Sequence, residues 1–153
     1  MPIVQAVFAI ALMAMAVAGG IQYVNPGAAT ANRLASQADA GFSSLESAFR
    51  SRQATGAAAP AADAWRTALF PAHGSLPAAV AGLSWSYGVQ AEGIWFCLSG
   101  TLSGDPAKAP VRNALNALST RRPQGLYDVT RECGGDGGTP DGTIAATLWM
   151  QRP

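Results

Sequence analysis

The chain has 153 residues, 49% of them hydrophobic and only 12% charged, and ten Lys and Arg against nine Asp and Glu leave a formal net charge of +1. That length fits one compact domain with an N-terminal appendage and is crowded for two, while the apolar content lies far from the low hydrophobicity and high net charge of disordered chains. A charge so near zero, spread along the sequence, gives no footprint for nucleic-acid phosphates, so no nucleic-acid partner is expected.

From Met1 to Asn32 no side chain is charged, and Pro2 to Val24 is nearly all apolar. Wound as a helix, Pro2 to Val24 is about 34 Å long at ~1.5 Å per residue, enough to cross a ~30 Å hydrocarbon layer. The competing reading is a secretory signal sequence with Ala16-Val17-Ala18 as its cleavage site, although the basic n-region of such peptides is missing. A buried core helix fits less well, because apolar side chains occupy every face. Gly19, Gly20, Pro26 and Gly27 follow, and there the helix is expected to weaken or bend, since Pro removes a backbone hydrogen bond and Gly lowers helix propensity.

Beyond that break, Leu34, Ala38, Phe42, Leu45 and Phe49 recur at helical spacing as a single apolar stripe, with Arg33, Asp39, Glu46 and Arg50 off it. The segment from about Ala28 to Arg52 reads as an amphipathic continuation of the same rod, its stripe laid on a globular domain; two unrelated helices joined by a loop are the alternative. Ser51 to Pro60 carries no apolar period and reads as a connection. A short helix is expected over Ala61 to Phe70, with Trp65 and Leu69 four apart and Pro71 closing it. Leu83, Trp85, Tyr87 and Val89 alternate with Ser84, Ser86 and Gly88 as a half-buried strand. Ala91-Glu92-Gly93 then serves as a hairpin connection to a more deeply buried strand over Ile94 to Leu102. Asp105 is placed to cap a helix opening at Pro106, with Val111, Leu115 and Leu118 on its inner face and Pro123 beyond its end. Strands are expected over Leu126 to Arg131 and Thr143 to Gln151. The fold class is therefore α+β, with a long N-terminal helix, apolar then amphipathic, packed on a C-terminal antiparallel β-sheet domain. Its divisions are 1–27, an apolar anchor; 28–52, the amphipathic continuation; and 53–153, a globular head.

Cys97 and Cys133 are the only cysteines. Both follow the apolar anchor, which puts them outside the cytoplasm, where a pair is normally oxidised, so a disulfide is predicted over the alternative of two buried thiols. His73 stands alone in a loop of Pro and Gly (PAHGSLP), without the partner nucleophile that base catalysis requires, and no cluster has zinc-ligand spacing. Gly100-Thr-Leu-Ser-Gly104 displaces its Ser by one position from a nucleophile elbow. Gly134 to Gly142 (GGDGGTPDG) lacks the P-loop Lys and the EF-hand ligand spacing, which leaves a surface turn region, with a loose cation site at Asp136 and Asp141 as the weaker reading. Trp85, Tyr87, Trp95 and Trp149 fall in expected strands and read as core or subunit contact rather than a sugar platform. No catalytic residue, metal or cofactor is expected.

The apolar segment that runs into an amphipathic helix ahead of a disulfide-bearing β domain resembles the type IV pilins. The match covers the N-terminal third by pattern and the rest by layout. The resemblance implies that the first segment anchors the subunit in the inner membrane before assembly and forms the core of an extracellular filament, or fimbrium, afterwards, with self as the polymer partner and a pilus assembly machinery as escort. It implies that Met1, the expected first mature residue, lies with Pro2 and Gln5 near the neighbour-facing N-terminus, and that Ile3, Val4, Val7, Phe8, Ile10 and Leu12 make the apolar packing. Gln5 departs from the usual Glu, so an amide, able to accept a hydrogen bond but carrying no charge, stands where the family pairs a carboxylate with a neighbouring amine. No short basic leader precedes the apolar run; an N-terminal Met suits the type IVb-like branch, and Gln5 suits an atypical or minor pilin. Gly19, Gly20, Pro26 and Gly27 match the mid-helix break the family tolerates, and residues 97–133 match its disulfide-bounded surface region. A monomeric membrane-anchored periplasmic binding domain is the principal alternative reading, and a small exported enzyme using the Asp136 and Asp141 loop the lesser one.

Overall fold

The computed structural model describes residues 26–80, 82–102, 109–135 and 137–151. Helix α1, Pro26–Ala54, is 29 residues long. Proline suits its first position, where the missing N–H has no intrahelical acceptor. Ala35, Ala38, Phe42, Leu45, Ala48 and Phe49 form its buried stripe, each at most 1% exposed, and Leu34 packs half-buried at the stripe's N-terminal margin. The expected stripe is therefore the real one. The helix does not stop at Arg52. No Gly or Pro interrupts Ser51 to Ala54, and the turn comes at Gly56, whose φ of +78° is open to a residue without Cβ. The connection consequently starts at Thr55 rather than Ser51. Arg52 holds it down, with Nε donating to the carbonyl of Ala58 at 3.1 Å and Nη1 to that of Ala68 at 3.1 Å.

Helix α2, Trp65–Leu69, is shorter than the expected Ala61 to Phe70. Ala61 to Ala64 form a separate turn, closed by the Ala64 N–H on the Ala61 carbonyl at 3.1 Å, so only the residues that bring Trp65 and Leu69 inward are helical.

Four strands make one antiparallel sheet in the order β1-β2-β4-β3: β1 Ser84–Gln90, β2 Gly93–Thr101, β3 Tyr127–Thr130 and β4 Thr143–Gln151. The β1–β2 hairpin turns at Ala91 and Glu92 as expected, and β4 has the expected limits. Alternation sends Trp85, Tyr87, Phe96, Leu98, Ala146 and Leu148 to the core under α1. Phe42 meets Trp85 edge-on at 4.9 Å between centroids and Tyr127 at 5.9 Å; Phe49 meets Phe96 edge-on at 6.2 Å. Such pairs add about 0.5–1.5 kcal/mol each beyond the area they bury. Close approach explains Gly41, an otherwise poor helix residue: a Cβ there would lie 2.5 Å from the Trp85 indole.

Helix α3, Ala109–Leu118, packs beside α1 with Val111, Leu115 and Leu118 buried as expected, and Ala114 with them. The expected cap at Asp105 and start at Pro106 lie outside the described residues. The Tyr127 hydroxyl donates to the Leu115 carbonyl at 2.9 Å and so ties β3 to α3. Tyr87 is held likewise, on the Pro60 carbonyl at 3.1 Å.

Burial pushes the Tyr87 hydroxyl up to about 12 from an ordinary 10.0, with nearby Arg52 pulling it partly back. Burial raises Tyr127 further still, opposed by Arg122 and aided by Asp39. Both phenols keep their protons in the folded chain where the unfolded chain has lost them, so the folded state binds more protons and stability falls as pH rises. Urea midpoints are expected to hold up to pH 10.0 and to decline between 10.0 and about 12. The Tyr127→Phe variant should shallow that decline.

Candidate functional site

On α1, Asp39, Ser43 and Glu46 follow one another at helical spacing, forming a polar strip beside the buried one. Arg122, just past the end of α3, reaches across it. Its Nη2 lies 2.5 Å from Asp39 Oδ1 and donates to the Asp39 carbonyl and to Ser43 Oγ, each at 3.0 Å; its Nε donates to Asp39 Oδ1 at 2.9 Å. Nη1 stands 3.5 Å from Glu46 Oε2. The other Glu46 oxygen accepts from Arg50 Nη2 at 2.6 Å. With only 12% of the Arg122 side chain exposed, these charge-assisted bonds are sheltered from water and a single guanidinium pins α3 to α1.

Beside this clamp opens a cleft of about 350 Å³ between α1 and the sheet. Pro123, Leu126, Leu148 and Met150 line one side of it and the polar strip of α1 the other, and Arg121 lines it too. Arg122 and Arg50 are satisfied by Asp39 and Glu46, whereas the exposed Arg121 side chain makes no ion pair or hydrogen bond among the described residues. The chemistry on offer is therefore one guanidinium left over beside a mixed cleft, with apolar residues along one side and the paired charges of Asp39, Glu46, Arg50 and Arg122 along the other.

The opposite face of the sheet is closed by the segment that follows β3. Cys97 and Cys133 are joined, with Cα atoms 5.8 Å apart and a sequence separation of 36. Cys97 is fully buried on β2, between Ser86 of β1 and Thr147 of β4. The Thr147 hydroxyl accepts from the Gly134 N–H at 3.1 Å and donates to Cys97 Sγ at 3.8 Å, which satisfies a fully buried polar group. Trp95 and Trp149 lie on this face too, their indole N–H groups donating to Gln90 Oε1 and Asp128 Oδ2, each at 3.1 Å. Gly134 and Gly135, at φ of +92° and +91°, let the chain lie flat against them. The start of the expected surface turn is thus packed structure.

Of the residues singled out from the sequence, Met1, Pro2, Ile3, Val4, Gln5, Val7, Phe8, Ile10, Leu12, Gly19 and Gly20 lie outside the described residues, while Pro26 and Gly27 form the first turn of α1. Among the described residues no helix is long and apolar enough to cross a membrane, and no group of three or more His, Cys, Asp and Glu is placed to hold a metal. Asp141 pairs with Arg131 at 3.7 Å; Asp136 lies outside the described residues. His73 Nδ1 stands 3.2 Å from Ser51 Oγ. Trp85, Tyr87, Trp95 and Trp149 are all buried, within the core alternative posed for them.

The Arg122 clamp was not anticipated. Its one sequence signal is the recurrence of Asp39, Ser43 and Glu46 on a single strip, which solvated helix faces also show.

Arg122→Ala is expected to lower stability by about 1–3 kcal/mol, a range discounted for the partial exposure of both carboxylates. Arg122→Lys should recover only part of that, since Lys lacks the planar fork. Urea unfolding reads both. The Cys97→Ser, Cys133→Ser pair should lose about 4 kcal/mol by chain entropy, and tryptophan emission should shift to the red as the segment over Trp95 and Trp149 loosens.

No family model, curated protein or solved structure matches this chain.

Proposed function

We propose that the chain is a structural subunit of a type IV pilus-like extracellular filament, held in the inner membrane before assembly and polymerising through its apolar N-terminal segment. One observation carries this reading: the uncharged run from Met1 to Asn32 reaches into α1, and the buried stripe of α1 begins only at Leu34 and Ala35. Gly27 to Thr30, Asn32 and Arg33 are exposed and Ala31 is half-buried, so the first turns of α1, at the end that continues the uncharged run, bury less surface than the stripe that follows. An uncharged run that leads into such an exposed stretch is suited to be covered by lipid or by identical segments.

Two further features support the same reading. The amphipathic part lies on an antiparallel sheet, the layout the resemblance implies for a head displayed on a filament. The disulfide spans 97–133 and fastens a surface segment, as expected of a subunit that works outside the cell.

The test is negative-stain electron microscopy, with mass analysis, of material sheared from cells carrying the protein and its native assembly genes. Thin filaments that contain this chain are expected, and deletion of residues 1–25 should abolish them while leaving a folded head. A chain that remains in the cell envelope as a monomer would instead support the anchored binding domain.

A further inference from the structure

The β1–β2 hairpin carries the most exposed stretch of the sheet. Val89, Gln90, Ala91 and Glu92 are four successive exposed residues. Val89, at 50%, is one of two exposed large hydrophobic side chains among the described residues, the other being Leu76. Glu92 makes no ion pair or hydrogen bond with its side chain among them. An exposed apolar residue beside an unspent carboxylate complements the Arg121 cleft, where Arg50, Arg121 and Arg122 outnumber the carboxylates of Asp39 and Glu46 and Pro123, Leu126 and Met150 line one side.

The two features also stand in a useful geometric relation. Ile94 pairs with Gln151 across β2 and β4, so the hairpin tip and the Met150 wall of the cleft lie at the same end of the sheet. They lie toward different edges: the tip begins in edge strand β1, and the cleft is lined by Leu126, next to edge strand β3. A patch on one edge that fits a different patch toward the other edge makes a heterologous contact, which repeats from copy to copy instead of closing into a two-fold pair.

Resting on the filament reading, we propose that the hairpin tip of one copy docks in the Arg121 cleft of the next, with Glu92 paired to Arg121 and Val89 seated against Pro123, Leu126 and Met150. This gives the heads a lateral contact of their own, separate from the apolar segments. It also makes filament stability depend on salt, because the pair sits at a rim where ions screen it.

The experiment is a charge exchange in the full chain, expressed with its native assembly genes and read as sheared filament per cell. Arg121→Glu and Glu92→Arg, each a change at an exposed residue whose side chain has no partner among the described residues, should separately cut filament yield about tenfold. The double exchange should restore it to within about twofold, a recovery that misfolding cannot produce. Wild-type filament yield in both single variants would overturn the contact alone. A double exchange as defective as the singles would overturn it too, assigning the Arg121 cleft to a different partner. No filament from the wild-type chain would overturn the filament reading itself, and this contact with it.

Discussion

Everything in the head hangs on the seating of Phe42 and Phe49 among the sheet aromatics. These two rings stand two helical turns apart on α1, and between them they touch Trp85, Tyr87, Phe96 and Tyr127. Three of the four strands are therefore registered to the helix by aromatic contact, and Gly41 sets how closely the backbone approaches. A helix whose apolar stripe is only partly filled by Ala has little area per turn to bury. Concentrating that area in two Phe residues, each with edge-to-face partners, gives the interface a direction as well as an energy. Trp65 extends the same cluster by stacking on Tyr87 at 6.1 Å, which is how the short α2 becomes part of the core.

The second constraint is that the central strands β2 and β4 are buried on both faces. Residues 95–98 and 144–149 are buried without a break, and one face of them meets α1 while the other needs a lid. The segment after β3 supplies it, and the disulfide holds it there at the middle of the sheet. The two polar clamps, Arg52 on the connection and Arg122 on α3, fasten the remaining pieces to α1. The head is thus built outward from one helix, with side-chain cations used where the chain has no regular backbone partner to offer.

Much of this was legible in the chain. Periodicity alone located the buried stripe from Ala38 to Phe49, the hairpin around Ala91 and Glu92, and the limits of β4, because each is a run whose period matches its structure. The pairing of the two cysteines followed from compartment rather than from spacing. What escaped has physical reasons. The sequence pattern ends α1 too early because Ser51 to Ala54 carry no apolar signal, yet nothing there stops a helix already in progress. The contraction of α2 was invisible because Ala-rich segments suit helix and turn alike until burial of Trp65 decides. The Arg122 clamp joins residues 83 apart, and a pairing over that distance leaves no local trace. The cleft beside it is likewise a product of packing, with lining residues drawn from α1, the turn after α3 and β4. The apolar segment that dominates the functional reading is plain in the sequence, but it lies outside the described residues.

One topological feature sets the order of events when this chain is made. Strand β4, the last in sequence among the described residues, is not at an edge; it lies between β2 and β3 and is the one neighbour β3 has among them. Until β4 has been delivered, β2 presents a bare edge, β3 has nothing to pair with, and the Thr147 hydroxyl is not there to receive the Gly134 N–H. A nascent chain can form the helix and the hairpin early, but it must wait for Thr143–Gln151 before the sheet exists, and non-local pairing of that kind is slow and leaves strand edges open to other chains. That delay keeps the chain open and threadable until β4 arrives, and it puts the burden on whatever shields β2 in the meantime.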